Sequence, residues 1–332
     1  MKALRIAMQT PRPVPHDPAA NLVVYSAAFK PFCQALLAGF AQAHPGVRLQ
    51  FIDAVSTELH TQYLSLHQSG QALPDVIWSS AMDLQMDLVR LGHARPHRSA
   101  STQALPNGAR YQDLAFCTTL EPLVSLRHSG FLGPPDAIST LQEIADLMQQ
   151  RPDLLRQRIA CLDIEANGMG FLAMLVARAQ DPGYARFMEL AAGMGLQRHG
   201  ANPPLVQALV SERAVLAFPM LGAFAARALA SHPQLAVCTS PAPRLGVSRV
   251  ALIPKAAPHP DNAACFVDFL LSSEGQNCMR QDGLFPWQDQ GLSDGLPILA
   301  VQALPIDDGF AAWLDPHARS ALRQDWARLL LA

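Results

Sequence analysis

Long runs of one charge are missing from this chain. Its 25 Lys and Arg and 27 Asp and Glu leave a formal net charge of −2 at pH 7. The basic residues are scattered and never interleaved with aromatics, so neither nucleic acid nor an anionic membrane surface has a footprint to bind. Long apolar runs are also missing, and no stretch approaches the ~18 residues of a membrane span. The six cysteines, at 33, 117, 161, 238, 265 and 278, form no C-x-x-C pair and fit no zinc spacing. Cys33, Cys161 and Cys265 fall in apolar stretches, where a free thiol packs as a small hydrophobe. Their spacing leaves a disulfide open. G-x-S-x-G, H-E-x-x-H and the P-loop lysine are all lacking. Asp163 and Glu165 occupy alternate positions of a strand-like segment and read as a solvated pair or a cap. Catalysis is therefore not expected, and no cofactor or metal is called for.

The first 20 residues lack the basic-then-apolar pattern of a signal peptide. Pro11, Pro13, Pro15 and Pro18 predict an extended leader there. Two readings remain open: a cytoplasmic protein, or a mature chain whose export signal has been removed.

What the chain does have is apolar strands that stop at hydroxyls. Half of its 332 residues are hydrophobic and 16% are charged, the balance of a well-packed globule long enough for two domains. Val76-Ile77-Trp78 ends at Ser79-Ser80, and Leu22-Val23-Val24-Tyr25 ends at Ser26. Leu49 to Ile52 leads to Ser56-Thr57-Glu58. In an open α/β sheet, ligands collect outside the carboxyl ends of the strands. Small hydroxyls at several such ends, each followed by a helix, predict an anion-binding crevice.

Between Ala28 and His44, apolar residues at 29, 32, 33, 36, 37 and 40 form one helical stripe. The helix stops at His44-Pro45-Gly46, and the strand from Val47 completes a β-α-β unit with parallel pairing. Pro96 to Ala109 reads as a surface loop. Thr140 and Glu143 form a capping box. A strand from Arg158 to Ile164 ends in Asn167-Gly168-Met169-Gly170, a loop that opens a helix from Phe171. G-x-G alone is a weak signal, since a third glycine and a downstream acid are missing, and a plain tight turn is the alternative. Gln197 to Pro204 reads as a polar loop before a helix from Leu205. His199 within it has an alternative reading as a surface histidine. Val215 to Phe218, Leu235 to Cys238 and Arg249 to Ile253 read as strands. Ser273 and Gln276 are expected to cap a short helix, and the last helix runs from Pro316 to Leu331.

The run from Pro254 through Ala264, continuing Phe266-Val267-Asp268-Phe269-Leu270-Leu271-Ser272-Ser273-Glu274-Gly275-Gln276, resembles the extracellular solute-binding proteins of ABC importers. Asp75 to Ser80, Leu22 to Ser26 and the Asn167 to Gly170 loop are similar to the branch that binds ferric iron, phosphonates and sugar phosphates. The resemblance covers roughly Leu22 to Trp287. It implies a type II periplasmic-binding-protein fold: two discontinuous α/β lobes, a hinge, and a ligand held between them. Lobe one is expected over 21–120 plus 250–285, and lobe two over 121–249 plus 286–332. The resemblance also implies residence in the periplasm, with an ABC permease or a membrane sensor kinase as partner, and a monomer is expected. Iron-binding members carry paired tyrosines where this chain has Phe218 to Phe224, so a tyrosinate iron site is not expected; iron held by other ligands is left as an alternative.

Together these readings predict a receptor for a small anionic, phosphorylated metabolite. Ser26, Thr57, Ser79, Ser80 and the amides of Asn167, Gly168, Met169 and Gly170 would hold the anionic end, with Thr119, His199 and Asn202 against the remainder.

Overall fold

The computed structural model describes residues 17–133, 138, 140–238, 244–292, 296 and 300–329; the predicted leader lies almost wholly outside them. Its first sheet runs in the order Leu49–Asp53, Leu22–Ser26, Val76–Ser79, Val250–Leu252, Ala115–Cys117, Arg110–Tyr111. The first three strands are parallel, as the β-α-β reading requires. Every residue of Leu22–Ser26 and Val76–Ser79 is buried. Parallel strands carry helices on both faces, so their apolar runs are continuous rather than alternating. Asp75, with no exposed surface, accepts the amides of Val23 (2.8 Å) and His259 (2.5 Å) and so ties the helix after His259 to this sheet.

The second sheet runs Val301–Ala303, Arg244–Val247, Glu121–His128, Leu216–Leu221, Ile159–Leu162, Gln197–His199, with Leu235–Val237 also pairing Glu121–His128. Ile159–Leu162 is parallel to both of its neighbours. Helices Leu141–Gln150, Gly168–Gln180, Tyr184–Met194 and Pro316–Arg328 bring Met148, Phe171, Phe187 and Trp326 into one core around it.

Two antiparallel crossings join the sheets, one from Cys117 to Glu121 and one from Val247 to Val250. They are bonded to each other: the Thr118 amide donates to the Arg249 carbonyl (3.0 Å), and the Arg249 amide donates to Thr119 Oγ1 (2.9 Å). Arg249 Nε lies 2.6 Å from Glu121 Oε1, with 1% and 0% of the side chains exposed. A third connection passes at Thr119–Pro286, where the two residues form a bridge.

Several local expectations change. The helix expected from Ala28 begins as a 3-10 turn, Lys30–Phe32, and becomes α-helical only over Gln34–Ala43. Pro31 breaks the first turn, and Phe29 leaves the buried stripe to stand 42% exposed. The expected loop at Gln197 holds a parallel edge strand. Pro96 to Ala109 contains a short helix, Ala100–Gln103, with a capping box from Ser99 and Thr102. The cap expected at Ser273 is Ser272, whose hydroxyl accepts the Gly275 amide. The Thr140–Glu143 capping box forms as expected.

Candidate functional site

Six strands point their carboxyl ends at one gap between the sheets. Ala27, Ala54 and Ser80 follow Leu22–Ser26, Leu49–Asp53 and Val76–Ser79. Asn167, Gly200 and Leu221 lie at or just beyond the ends of Ile159–Leu162, Gln197–His199 and Leu216–Leu221. All six residues line a cavity of about 260 Å³. Parallel pairing within each sheet is what brings these ends to one side.

The helices that follow begin at the same cavity. Ser56–Gln68, Asn202–Val210 and Gly222–Ser231 have Val55, Ala201 and Leu221 as N-caps, and none makes a side-chain cap hydrogen bond. All three caps line the cavity. An apolar N-cap leaves the first-turn N–H groups without the partner that Ser, Asp or Asn would supply. Together with the partial positive charge of a helix N-terminus, this leaves unfilled N–H donors beside the cavity. Pro203 and Pro204 thin the donors of one helix, leaving the Asn202 amide. Gly168–Gln180 differs, because its cap Asn167 accepts the Gly170 amide at 2.8 Å. Asp53 is the one charged side chain among the lining residues, and its Oδ2 accepts the Lys30 amide.

The two halves also touch directly. Thr57 Oγ1 donates to the Ala166 carbonyl (3.1 Å), and the Gly168 amide donates to Ser56 Oγ (3.2 Å). A Cβ on Gly168 would lie 2.8 Å from the Ala81 Cβ and 2.9 Å from Leu84 Cδ1, so only glycine permits this approach. Phe32 meets Phe224 across the gap at 4.8 Å between ring centroids. Arg319 Nη1 pairs with Asp83 Oδ2 at 2.7 Å. Burial pushes the Asp83 carboxyl up from its ordinary range, and Arg319 pulls against that shift.

The expected site residues divide into groups. Ser80, Asn167, Met169 and Asn202 line the cavity. Ser26, Ser79 and Thr119 are corrections. Ser26 donates to the Trp78 carbonyl and accepts the Ala28 amide. Ser79 accepts the Ala81 amide, and Thr119 accepts Arg249. All three are buried local fasteners, the ordinary use of a hydroxyl at a strand end. Thr57 and Gly168 bond across the gap rather than facing into it, and Gly170 packs on Leu162. His199 lies on its edge strand outside the cavity lining; its Nε2 is buried without a hydrogen-bond partner, and desolvation, then Arg213, holds its pKa down. Asn202 Oδ1 accepts the Leu221 amide, so its carbonyl group is engaged. The sequence reading missed Phe29, Val55, Ala201, Leu221 and Phe224. For all but Phe224, which lies within Gly222–Ser231, the available signal was an apolar residue directly before a helix, where a cap is normally polar.

A second cavity, of about 430 Å³, lies inside the second half between Leu141, Met174, Phe218 and Arg244. None of the six strand-end residues named above lines it. No three His, Cys, Asp or Glu side chains converge to hold a metal ion among the described residues.

The family model for bacterial extracellular solute-binding proteins matches residues 22–285, and the chain belongs to that family. Among solved structures, the chain is similar to the substrate-binding protein of an ABC transporter from Agrobacterium tumefaciens. Identity is 26% over 94% of this chain and 95% of that one, with a TM-score of 0.86. The fold is shared with the periplasmic binding protein AfuA from Actinobacillus pleuropneumoniae, solved with fructose-6-phosphate (18% identity, 95% and 100% covered, TM-score 0.75). It is shared also with iron-bound HitA from Pseudomonas aeruginosa (15%, 93% and 97%, TM-score 0.70). A comparison with curated protein sequences finds no match.

Proposed function

We propose that the protein is the periplasmic solute-binding component of an ABC importer and that it captures a small anionic, phosphorylated metabolite between its lobes. The observation that carries this reading is the convergence of helix N-termini with apolar caps on one inter-lobe cavity. Charge-assisted bonds from N–H groups to anionic oxygen are about twice as strong as neutral ones. A handful of them, with lobe closure, supports micromolar binding after ordering is offset. The shared fold with a sugar-phosphate complex is consistent with such a ligand. An iron-binding role lacks support: none of the four tyrosines lines the cavity.

Native mass spectrometry of freshly purified protein tests the reading. A co-purified organic anion, displaced by added phosphate ester, is the expected result. A bound metal with no organic molecule beside it, or a neutral ligand that phosphate esters fail to displace, overturns it.

A further inference from the structure

The polar side chains of the cavity are few, and most are already bonded to the protein. Asp53 accepts from Lys30, Ser56 accepts from Gly168, and Asn202 accepts from Leu221. Asn167 is engaged at both ends, accepting from Gly170 and donating to the Gly200 carbonyl. Only the Ser80 hydroxyl in the lining makes no side-chain hydrogen bond among the described residues. A polyhydroxylated ligand needs a partner for each hydroxyl it buries, and an unmatched one is penalised. Beside Ser80, only Asp53 Oδ1, the Ser56 hydroxyl proton and Asn202 Nδ2 are left over, fewer partners than a polyhydroxylated body needs.

An aromatic wall stands in their place. Phe29 and Phe224 both line the cavity. Phe29 is one of three large hydrophobic side chains left exposed among the described residues, at 42%. Phe32 joins the two, edge-on to Phe29 at 5.3 Å and tilted against Phe224 at 4.8 Å. The Arg227 guanidinium lies 3.7 Å over the Phe32 ring and holds it in place. The wall therefore spans both halves and completes itself only when they approach.

Resting on the anion reading above, the geometry points to a ligand whose body is a planar, unsaturated ring, stacked on Phe29 and Phe224, with its anionic group at the helix N-termini. Flat rings gain from offset or edge contacts with aromatic side chains and require no hydroxyl partners. The substrate class is an aromatic or heteroaromatic phosphate rather than a sugar phosphate.

Calorimetry with five probes tests this: phenyl phosphate, cyclohexyl phosphate, fructose 6-phosphate, inorganic phosphate and benzyl alcohol. Phenyl phosphate is expected to bind about tenfold or more tighter than fructose 6-phosphate, and tighter than its non-planar cyclohexyl counterpart. Phe29→Ala should erase most of that advantage, while Phe29→Trp retains it. Fructose 6-phosphate binding as tightly as phenyl phosphate, with Phe29→Ala silent, overturns the ring and leaves the anion reading standing. Benzyl alcohol matching phenyl phosphate overturns the anion reading and leaves the ring. Binding of none of the five overturns both.

Discussion

Arg319 Nη1 lies 2.7 Å from Asp83 Oδ2, and the two residues belong to opposite halves of the molecule. Asp83 opens the helix Met82–Arg90 behind the first sheet, while Arg319 sits on Pro316–Arg328, which packs on the second-sheet core through Trp326. Asp83 has no exposed side-chain surface, and Arg319 also lies over the Phe171 ring at 4.4 Å. A buried carboxylate is tolerated only while its partner is in place. The pair is therefore a clasp whose loss is most easily relieved by opening the lobes and letting water in.

Arg319→Ala should open the resting protein. Removing one partner of a buried pair costs about 3–5 kcal/mol when the other charge stays buried, and opening avoids much of that penalty. Small-angle scattering should show a larger radius of gyration, and affinity for phenyl phosphate should fall at least about tenfold. Adding Asp83→Ala should recover part of the closure, because the uncompensated charge is gone. An unchanged scattering profile in Arg319→Ala removes the clasp.

Gly168→Ala separates closure from folding. The backbone of Gly168 is not left-handed, so alanine is acceptable to each half alone. Its methyl group instead meets Ala81 and Leu84 across the gap at 2.8 and 2.9 Å. Overpacking of this kind costs about 1–3 kcal/mol. The expected outcome is about a tenfold or greater loss of ligand affinity with little change in the Tm of the ligand-free protein. A Tm loss with unchanged affinity would place the strain within one half instead.

How far the sequence could be read depended on whether a signal was local. Val76-Ile77-Trp78 and Leu22 to Tyr25 were legible as strands because each is a short apolar run ending at a hydroxyl, and the parallel pairing of the Leu22 and Val47 strands followed from the helix between them. The cavity's position followed from where such strands end. Which hydroxyl faces the cavity was not legible: Ser79 and Ser80 are adjacent, and only backbone direction decides that Ser79 turns to the Ala81 amide while Ser80 lines the gap. Phe29 was misread for a related reason. Its spacing fits the helical stripe, yet Pro31 unwinds that turn and aims the ring at the cleft. The Asp83–Arg319 pair spans most of the chain, and no spacing rule connects such residues.

Ser26→Ala and Ser80→Ala should therefore differ in kind. The Ser26 hydroxyl holds two backbone groups in a fully buried position, and its loss should lower stability by about 1–3 kcal/mol through the groups left unpaired. Its effect on affinity should be small. Ser80→Ala should leave urea unfolding nearly unchanged and weaken phenyl phosphate binding by about tenfold, the loss of one bond to a charged acceptor. Urea titration and calorimetry on both variants distinguish them; identical behaviour would contradict the assignment.

His199 should make the folded protein more sensitive to acid. Its folded pKa is held below the ordinary value of 6.5, first by desolvation and then by Arg213, and its buried Nε2 has no hydrogen-bond partner. The unfolded chain therefore takes up a proton that the folded one resists. This stability is fully present above 6.5 and is lost as pH falls through 6.5 toward the folded pKa. His93 is shifted in the same direction, so His199→Gln should shallow the decline between pH 7.5 and 5.5 rather than abolish it. Urea midpoints at the two pH values measure the slope; an unchanged slope in the variant assigns the sensitivity elsewhere.

Glu121 and Arg249 test whether the crossings are held by charge or by shape. The pair joins the two connecting segments with 0% and 1% of the side chains exposed, and Arg249 also lies 5.9 Å from the Trp78 ring centroid. Two buried charges are costly to desolvate, and a well-packed apolar replacement often does as well. Arg249→Met alone leaves Glu121 buried without its partner and should lose about 3–5 kcal/mol in urea unfolding. Glu121→Gln with Arg249→Met should recover most of that loss, because the Thr118 amide and the Thr119 and Ser248 hydroxyls still bond the two segments together. If the double variant is as unstable as the single one, the ion pair itself fixes the crossing geometry. Its closing transition, followed by scattering with and without phenyl phosphate, should then be lost along with the stability.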